Sequence, residues 1–415
     1  MNAKRVIADL RELAARTSTP EGAQRVAWGP VWRDARAWFR GKVARLGLPI
    51  RADAAGNNWV TLSGASPKTV ILGSHLDSVP NGGWLDGSLG VVAALEALRM
   101  HAEAKPPVTV MLVDWADEEG ARFGRSLLGS SAASGELSPS DVQELKDRQG
   151  VRLVDALAEN GVSLDRMPDA RGELKAVDSR AYLELHIEQG PVLEALSKPT
   201  GVVLGTFGVE RHMIRFTGQA AHSGSTPIPM RRDAVLAAAQ TALACRDIAT
   251  RHTKAGPGGN VVCTVGVVNV EPKIVTAVPG VCEISLDQRA LDPTVLAAML
   301  RDAREASDQA ARANNVQVDW RELWRIEPRP FDPTLIGLCE DAVREETGDA
   351  PRLPSGPLHD AAEMVPHMPV VMMFAYSSKG LSHCKEEDTP EPYLEQSVRA
   401  YLRLVQKTIA HVALQ

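Results

Sequence analysis

His75, Asp77 and Asp86 follow the apolar run of residues 69–72 in a loop rich in glycine, serine and proline, and Glu118 and Glu119 follow a second apolar run, residues 108–113. Imidazole and carboxylate are the donors that zinc and its first-row neighbours take, and a carboxylate can bridge two cations. In open α/β sheets the loops leaving the carboxyl ends of strands carry the chemistry. One histidine in a polar loop is commonplace, and adjacent glutamates usually mean solvated surface. Two such clusters, each at the end of an apolar run, point instead to a metal hydrolase. In His75-Leu-Asp77 the aspartate stands where it can take the second ring N–H of a metal-bound imidazole, which fixes the ring and raises its basicity. Asp86, after an Asn-Gly-Gly turn, can return a carboxylate to the same ion. Of the two glutamates, one can ligate while the other stays free as a general base, taking a proton from water and passing it to the leaving group.

Two further histidines occupy comparable places. Residues 183–190 read Leu-Glu-Leu-His-Ile-Glu-Gln-Gly, so Glu184, His186 and Glu188 share one face of a strand and the apolar residues the other. A wholly polar strand face belongs to solvent or to a site, and His186 is a third candidate ligand. Gly380-Leu-Ser-His383 follows the apolar run 370–376.

The elements that must position these residues alternate. Helical periodicity covers residues 3–15, 24–46, 90–104 and 141–160, the last broken near Gly150. Strand-like runs cover 58–63, 69–72, 108–115, 181–187 and 369–376, with closing helices at 333–347 and 393–412. This rhythm implies right-handed crossovers and a mixed, largely parallel sheet flanked by helices. Residues 208–326 follow a different order, β-α-β-β-α-β: strands at 209–216, 261–270, 281–289 and 316–326, helices at 231–251 and 293–314. That is the order of a ferredoxin-like antiparallel sheet with two helices on one face. The expectation is an α/β domain of residues 1–207 and 327–415, interrupted by an α+β domain of residues 208–326.

Composition narrows the class. A chain of 415 residues, 44% hydrophobic, buries a substantial core, and its formal net charge of -6 gives no footing for nucleic acid or for a membrane surface. The cysteines are odd in number, scattered and never Cys-x-x-Cys, which argues for reduced thiols over a disulfide framework or structural zinc. No run reaches the roughly 20 apolar residues of a membrane span. The N-terminal residues lack the apolar core of a signal peptide. The expected location is the cytoplasm.

The ordered set Gly-Ser-His-Leu-Asp-Ser-Val, Gly-Gly-Trp-Leu-Asp-Gly, Glu-Glu-Gly-Ala-Arg-Phe, His-Ile-Glu-Gln-Gly-Pro-Val-Leu-Glu and Gly-Leu-Ser-His resembles the hydantoinase/carbamoylase branch of the M20 metallopeptidase superfamily. That branch contains N-carbamoyl-L-amino-acid hydrolases, β-ureidopropionases and allantoate amidohydrolases, and the resemblance runs from about residue 20 to the C-terminus. Peptidase relatives usually carry Asp where His186 stands. The resemblance implies two divalent ions (zinc, manganese, cobalt or nickel), one on His75 and His186, the other on Glu119 and His383, with Asp86 between them and Glu118 as base. It implies that His222, in the inserted domain, stabilises the tetrahedral oxyanion, that Arg289 clamps a substrate carboxylate, and that Gln189, Gly356 and His359 lie near substrate. It also implies a homodimer, with the inserted domain as lid. Two positions depart from the family pattern: Thr276 replaces an Asn, and Pro357-Leu358 replaces a smaller Ala-Gly. Both bear on specificity. The implied reaction is hydrolysis of the ureido C–N bond of an N-carbamoyl amino acid, with allantoate, another ureido acid or an N-acyl amino acid as the alternative substrate.

Overall fold

The computed structural model describes residues 1–254 and 259–415, which divide into two compact units, Met1–Leu204 with Phe331–Gln415, and Gly205–Pro330.

The first unit is organised by one sheet. Its main strands are β1 (Ile50–Ala52), β2 (Asn58–Leu62), β3 (Ser66–His75), β4 (Val108–Trp115), β5 (Ser179–Ile187) and β6 (Thr200–Thr206). A strand from the end of the chain, Val370–Ala375, completes it. These strands lie in the order β6, Val370–Ala375, β5, β3, β4, β2, β1. The four central members are parallel to one another, and the strands at either side are antiparallel. The unbroken apolar runs in β3 and β4 are what a strand covered on both faces requires. Val70, Leu72, Val110 and Leu112 enter one core and Ile71, Met111 and Val113 the other. Each fully buried side chain of this size contributes about 1.5–3 kcal/mol. On the first face lie helices α1 (Ala3–Thr17), α2 (Pro30–Ala44), α3 (Ser88–His101) and the closing helix Glu391–Leu414, which give that core Leu10, Phe39, Leu95 and Leu402 among others.

Two local expectations fail for identifiable reasons. Residues 24–29 are not helical: α2 begins at Pro30, whose missing N–H suits the first helical position, and the residues before it pair with the loop after β3 through Ala23 and Gly82. Residues 143–152 form a loop, not a helix; Gly150 has φ +84° and the Asp147 carboxylate accepts from the amides of Gln149 and Val151. β6 runs to Thr206 and pairs antiparallel with Val370–Ala375.

The second unit is an antiparallel sheet with two helices. Its chain order is β7 (Gly208–Thr217), α4 (Ala234–His252), β8 (Val262–Thr264), β9 (Val268–Glu271), β10 (Val281–Ala290), α5 (Pro293–Ala313) and β11 (Gln317–Ile326). The order across the sheet is β8, β10, β7, β11, and β9 also pairs β10. The single strand expected over 261–270 is thus two short strands on one neighbour. Asp233 and Asp292 cap the two helices by accepting from the amides at their starts. The alternation of β10 puts Cys282, Ile284 and Leu286 into the core beneath α4 and α5.

In the remaining chain, α6 (Pro333–Thr347) precedes β12 (Val370–Ala375), and α7 (Glu391–Leu414) closes the first unit. Among the described residues no helix is long and apolar enough to cross a membrane.

Candidate metal centre

Four parallel strands end together, and each releases a candidate ligand at its carboxyl end. His75 terminates β3, Glu118 and Glu119 follow β4, His186 lies in the last turn of pleat of β5, and His383 is in the loop after β12. Asp86 returns from the β3 loop just before α3. Gly87 makes this return possible: it has φ +62°, and a Cβ there would run into the His75 ring. The polar face of β5 is buried, not solvated, since Glu184, His186 and Glu188 are all inaccessible.

The side chains fall into two triads that share Asp86, namely His75, Asp86, His186 and Asp86, Glu119, His383. Asp86 Oδ1 lies 3.2 Å from His186 Nε2 and 3.8 Å from His75 Nε2. Its other oxygen lies 3.4 Å from His383 Nε2, which is itself 3.3 Å from Glu119 Oε2. One carboxylate therefore turns one oxygen to each triad.

The tautomers follow from the backbone. His75 Nδ1 is 3.1 Å from the Asp77 carbonyl and His186 Nδ1 is 3.0 Å from the Ile187 carbonyl. A carbonyl only accepts, so Nδ1 carries a proton in each ring, and in the neutral ring Nε2 presents a lone pair. The two Nε2 atoms face each other at 3.5 Å. Two lone pairs and a carboxylate oxygen at such distances are satisfied together by a cation, and the donor set of three imidazoles and two carboxylates suits first-row divalent ions. Glu119 Oε1 is buried with no hydrogen-bond partner among the described residues, a further atom that a cation would satisfy.

Asp77 behaves differently from its expected part. Its carbonyl is nearer the His75 ring than its carboxylate, whose Oδ1 is 3.6 Å from Nδ1. The carboxylate instead accepts from the amides of Glu118 and Glu119, at 3.3 and 3.1 Å. It thereby ties the β3 loop to the β4 loop.

The electrostatics of the site show how crowded the charges are. Burial pushes Glu118 well above the ordinary carboxylate range, against the pull of His75 and with the push of Asp360, Glu119 and Asp77. Burial and the Asp86 charge push Glu119 up as well. Burial would raise Asp86 too, but His186, His75 and His383 outweigh it and hold that carboxyl well below its usual range. For His75, burial disfavours protonation, and Glu118, Asp77 and Asp86 more than reverse this. Glu118 Oε2 is 3.7 Å from His75 Nε2, and Glu118 belongs to neither triad.

Three loop residues of the site hold left-handed backbone: Asp117 (φ +59°), Gln189 (φ +55°) and His383 (φ +58°). Non-glycine residues in this region cost about 1–3 kcal/mol each and persist where the surroundings fix them. Gln189 is fixed by its side chain, which donates to Asp86 Oδ2 and to Ser382 Oγ, each at 2.9 Å.

Comparison with known proteins agrees with this geometry. The family model described as peptidase family M20/M25/M40 matches residues 71–407. The chain belongs to the M20 family. Within it, this chain is 34% identical over 372 residues to an N-carbamoyl-L-amino acid amidohydrolase of Geobacillus stearothermophilus, covering 88% of each. It is likewise 34% identical over 386 residues to an allantoate amidohydrolase of Escherichia coli K12, covering 91% of each. Among solved structures, a hydantoinase/carbamoylase-family amidase from Burkholderia phymatum superposes with a TM-score of 0.85 at 31% identity, over 99% of this chain and 98% of that one.

The remaining candidates of this M20 chain lie in both units. His359 is buried in the first, its ring edge-on to His186 with centroids 4.5 Å apart, and burial lowers its pKa well below that of free imidazole. Gly356 is half-buried in the loop between the strand Arg352–Ser355 and His359. In the second unit His222 is exposed on a two-residue strand paired with Ala277–Val278, and the amide of Ser223 donates to the Thr276 carbonyl at 2.9 Å, so these two candidates are neighbours. Arg289 grips Asp287 at two points, Nε to Oδ1 at 2.9 Å and Nη2 to Oδ2 at 3.3 Å.

Two residues near the centre had drawn no attention in the sequence. Glu387 is buried; its Oε1 accepts from the amides of Leu85 and Asp86 at 3.2 and 3.0 Å, and its Oε2 from Ser382 Oγ at 3.1 Å. Burial and the Asp86 charge push it up to about 7. Glu387 thus joins the Asp86 turn to the His383 loop, and Gly83 exists because any Cβ there would strike this carboxylate. Arg25 is wholly buried and donates from Nε to the Leu76 carbonyl at 2.8 Å, while its amide donates to Ser78 Oγ at 3.1 Å. It holds the segment between His75 and Ser78 from behind. Replacing Glu387 with Ala is expected to weaken divalent-cation affinity about 10–100-fold, the usual effect of losing a partner of a ligand. Glu387→Gln, which keeps an acceptor for both amides, is expected to retain most of it. Chelator competition titrations check this, and equal affinity for wild type and the Ala variant would contradict it.

Proposed function

We propose that this protein hydrolyses the ureido C–N bond of an N-carbamoyl amino acid, giving the amino acid, carbon dioxide and ammonia. The observation that carries the reading is the pair of triads sharing Asp86, with a buried carboxylate, Glu118, beside them and outside both. His75 and His186 would hold one divalent ion, Glu119 and His383 the other, with Asp86 common to both. When bound, such a pair of ions polarises a carbonyl and lowers the pKa of water. Glu118 takes the proton of the attacking water and delivers it to the departing nitrogen. One water suffices for the balance: its oxygen becomes the second oxygen of carbon dioxide, and its hydrogens complete the amine and ammonia. The water-excluded setting that raises the Glu118 carboxyl suits a group that must hold the proton between the two transfers.

The two-point contact of Arg289 with Asp287 is the geometry in which a substrate carboxylate would be held. His222 is assigned to the oxyanion, and Gln189, Gly356 and His359 to the ureido end. The unit Gly205–Pro330 is assigned to dimerisation and closure, a role supported by the exposure of Ile228 (78%), Met230 (73%) and Leu243 (67%). Light scattering that gives a monomer would remove the dimer from this reading.

A second substrate class is favoured by particular residues. Thr276 has one hydroxyl where an amide would offer separate donor and acceptor atoms, and Pro357-Leu358 is bulkier than Ala-Gly. Both leave open a ureido acid such as allantoate, or an N-acyl amino acid. The test is ammonia release from N-carbamoyl-L-amino acids, N-carbamoyl-β-alanine and allantoate by protein loaded with manganese, cobalt, nickel or zinc, beside N-acetyl counterparts and a chelated control. Chelator-sensitive ammonia from a carbamoyl amino acid is the expected result. Free amine from an acetyl substrate with no ammonia from any ureido compound would overturn the proposal.

A further inference from the structure

Next to the loop that carries Glu118 and Glu119, and wholly within the first unit, lies a cavity of about 520 Å³ that Ala121 and Arg122 help to line. None of the proposed metal ligands lines it. Its apolar wall includes Val26, Trp28 and Pro80, and its polar wall Arg33, Arg122 and Arg148.

The three guanidiniums are unevenly compensated. Arg122 is paired with Asp147, Nε to Oδ2 at 3.0 Å, and also donates to the Trp28 carbonyl at 3.1 Å. Arg33 donates to the same carbonyl at 3.5 Å and to Asn160 Oδ1 at 3.4 Å, both uncharged and both long. Two like charges thus converge on one neutral oxygen. Arg148 has no hydrogen-bond or ion-pair partner among the described residues. Asp147 and Glu159 also line the cavity, but Asp147 is already taken by Arg122 and by the amides of Gln149 and Val151. Cations gathered at a partly apolar concavity with too few anions form a receptor for an anionic ligand, and the guanidinium fork matches carboxylate and phosphate oxygens.

We propose that this cavity binds a small anion, a carboxylate or phosphate on a short carbon chain, at a position separate from the metal centre. The anion lies between Arg33, Arg122 and Arg148, and the chain lies along Trp28, Val26 and Pro80. The proposal does not rest on the substrate reading. Its neighbourhood is nevertheless consequential: Trp28 Nε1 donates to Asp117 Oδ2 at 2.6 Å, and Asp117 precedes Glu118.

Equilibrium dialysis of labelled succinate and labelled inorganic phosphate against the metal-loaded protein tests it, with Arg33→Gln/Arg148→Gln as the control variant. The wild type is expected to bind one equivalent of at least one probe beyond any displaced by a saturating ureido substrate or product. The double variant is expected to lose that equivalent about ten-fold in affinity or more, for two charge-assisted contacts removed, while its metal content stays unchanged. Succinate binding alone assigns a carboxylate ligand and phosphate binding alone a phosphate ligand; either supports the site. Equal binding by the variant would place the anion away from Arg33 and Arg148 and overturn the proposal. So would no binding of either probe at about 10 mM, above the millimolar range of a weak site.

Discussion

Glu118→Gln is expected to lower kcat by about 10²–10⁴-fold, the usual worth of a positioned general base, and to leave both metal positions filled. The reason is the division of labour between adjacent carboxylates. Glu119 Oε2 is within 3.3 Å of His383 and belongs to a triad, whereas Glu118 approaches the centre only at 3.7 Å from His75 Nε2 and belongs to none. Glutamine keeps the shape and loses the proton. The same substitution has a second signature in chelator-treated protein. Burial raises the Glu118 carboxyl in the folded state, so the folded protein binds this proton more tightly than the unfolded chain. Stability from this group is then lost as pH rises above the unfolded value of about 4.3, up to the folded value. The Gln variant escapes that loss, so at neutral pH its metal-free form is expected to melt no lower than the metal-free wild type. Steady-state kinetics, metal analysis and thermal melts check the three parts. Wild-type kcat in the variant would show that another group carries the proton.

The gathering of the candidate ligands was legible in the sequence because it rests on two strong regularities. Unbroken apolar runs announce parallel strands covered on both faces, and the residues just beyond them are forced to one end of the sheet. His75, Glu118, Glu119, His186 and His383 obey this rule, Asp86 is returned to them by the loop before α3, and the sheet brings them together at the ends of four parallel strands. The supporting shell was not legible because its residues imitate something else. Arg25 and Trp28 lie in a stretch with helical periodicity, yet Pro30 delays the helix and frees residues 24–29 to clasp the loop after His75. Glu387 lies in the run Lys-Glu-Glu-Asp, which reads as solvated charge. Its burial depends on Gly83, distant in sequence, giving it room. The double glycine before Trp84 was the available signal: two adjacent positions without side chains imply that something approaches the backbone closely. Asp77 illustrates a subtler limit. Sequence spacing placed it beside His75 correctly but could not say which of its oxygens would face the ring.

Asp86→Ala is expected to cost both metal positions at once, while His383→Ala costs one. Asp86 is the residue common to the triads His75–Asp86–His186 and Asp86–Glu119–His383, with Oδ1 toward His75 and His186 and Oδ2 toward Glu119 and His383. Its carboxyl is also the one that the surrounding imidazoles hold well below the usual range against the opposing effect of burial. Removing it strips the charge common to both triads and releases Gln189, which donates to Oδ2 at 2.9 Å, and Ser382, whose Oγ lies 3.2 Å from Oδ2. A loss confined to a partner of a ligand is about 10–100-fold in affinity; loss of the shared ligand should exceed this at both positions. His383 sits on the exposed side, on a loop after β12, and its removal leaves His75, Asp86 and His186 in place. Metal counts per chain after gel filtration separate the cases, with near zero expected for Asp86→Ala and near one for His383→Ala. Equal metal content in the two variants would mean that Asp86 is not shared, and that the two triads are alternatives for a single ion.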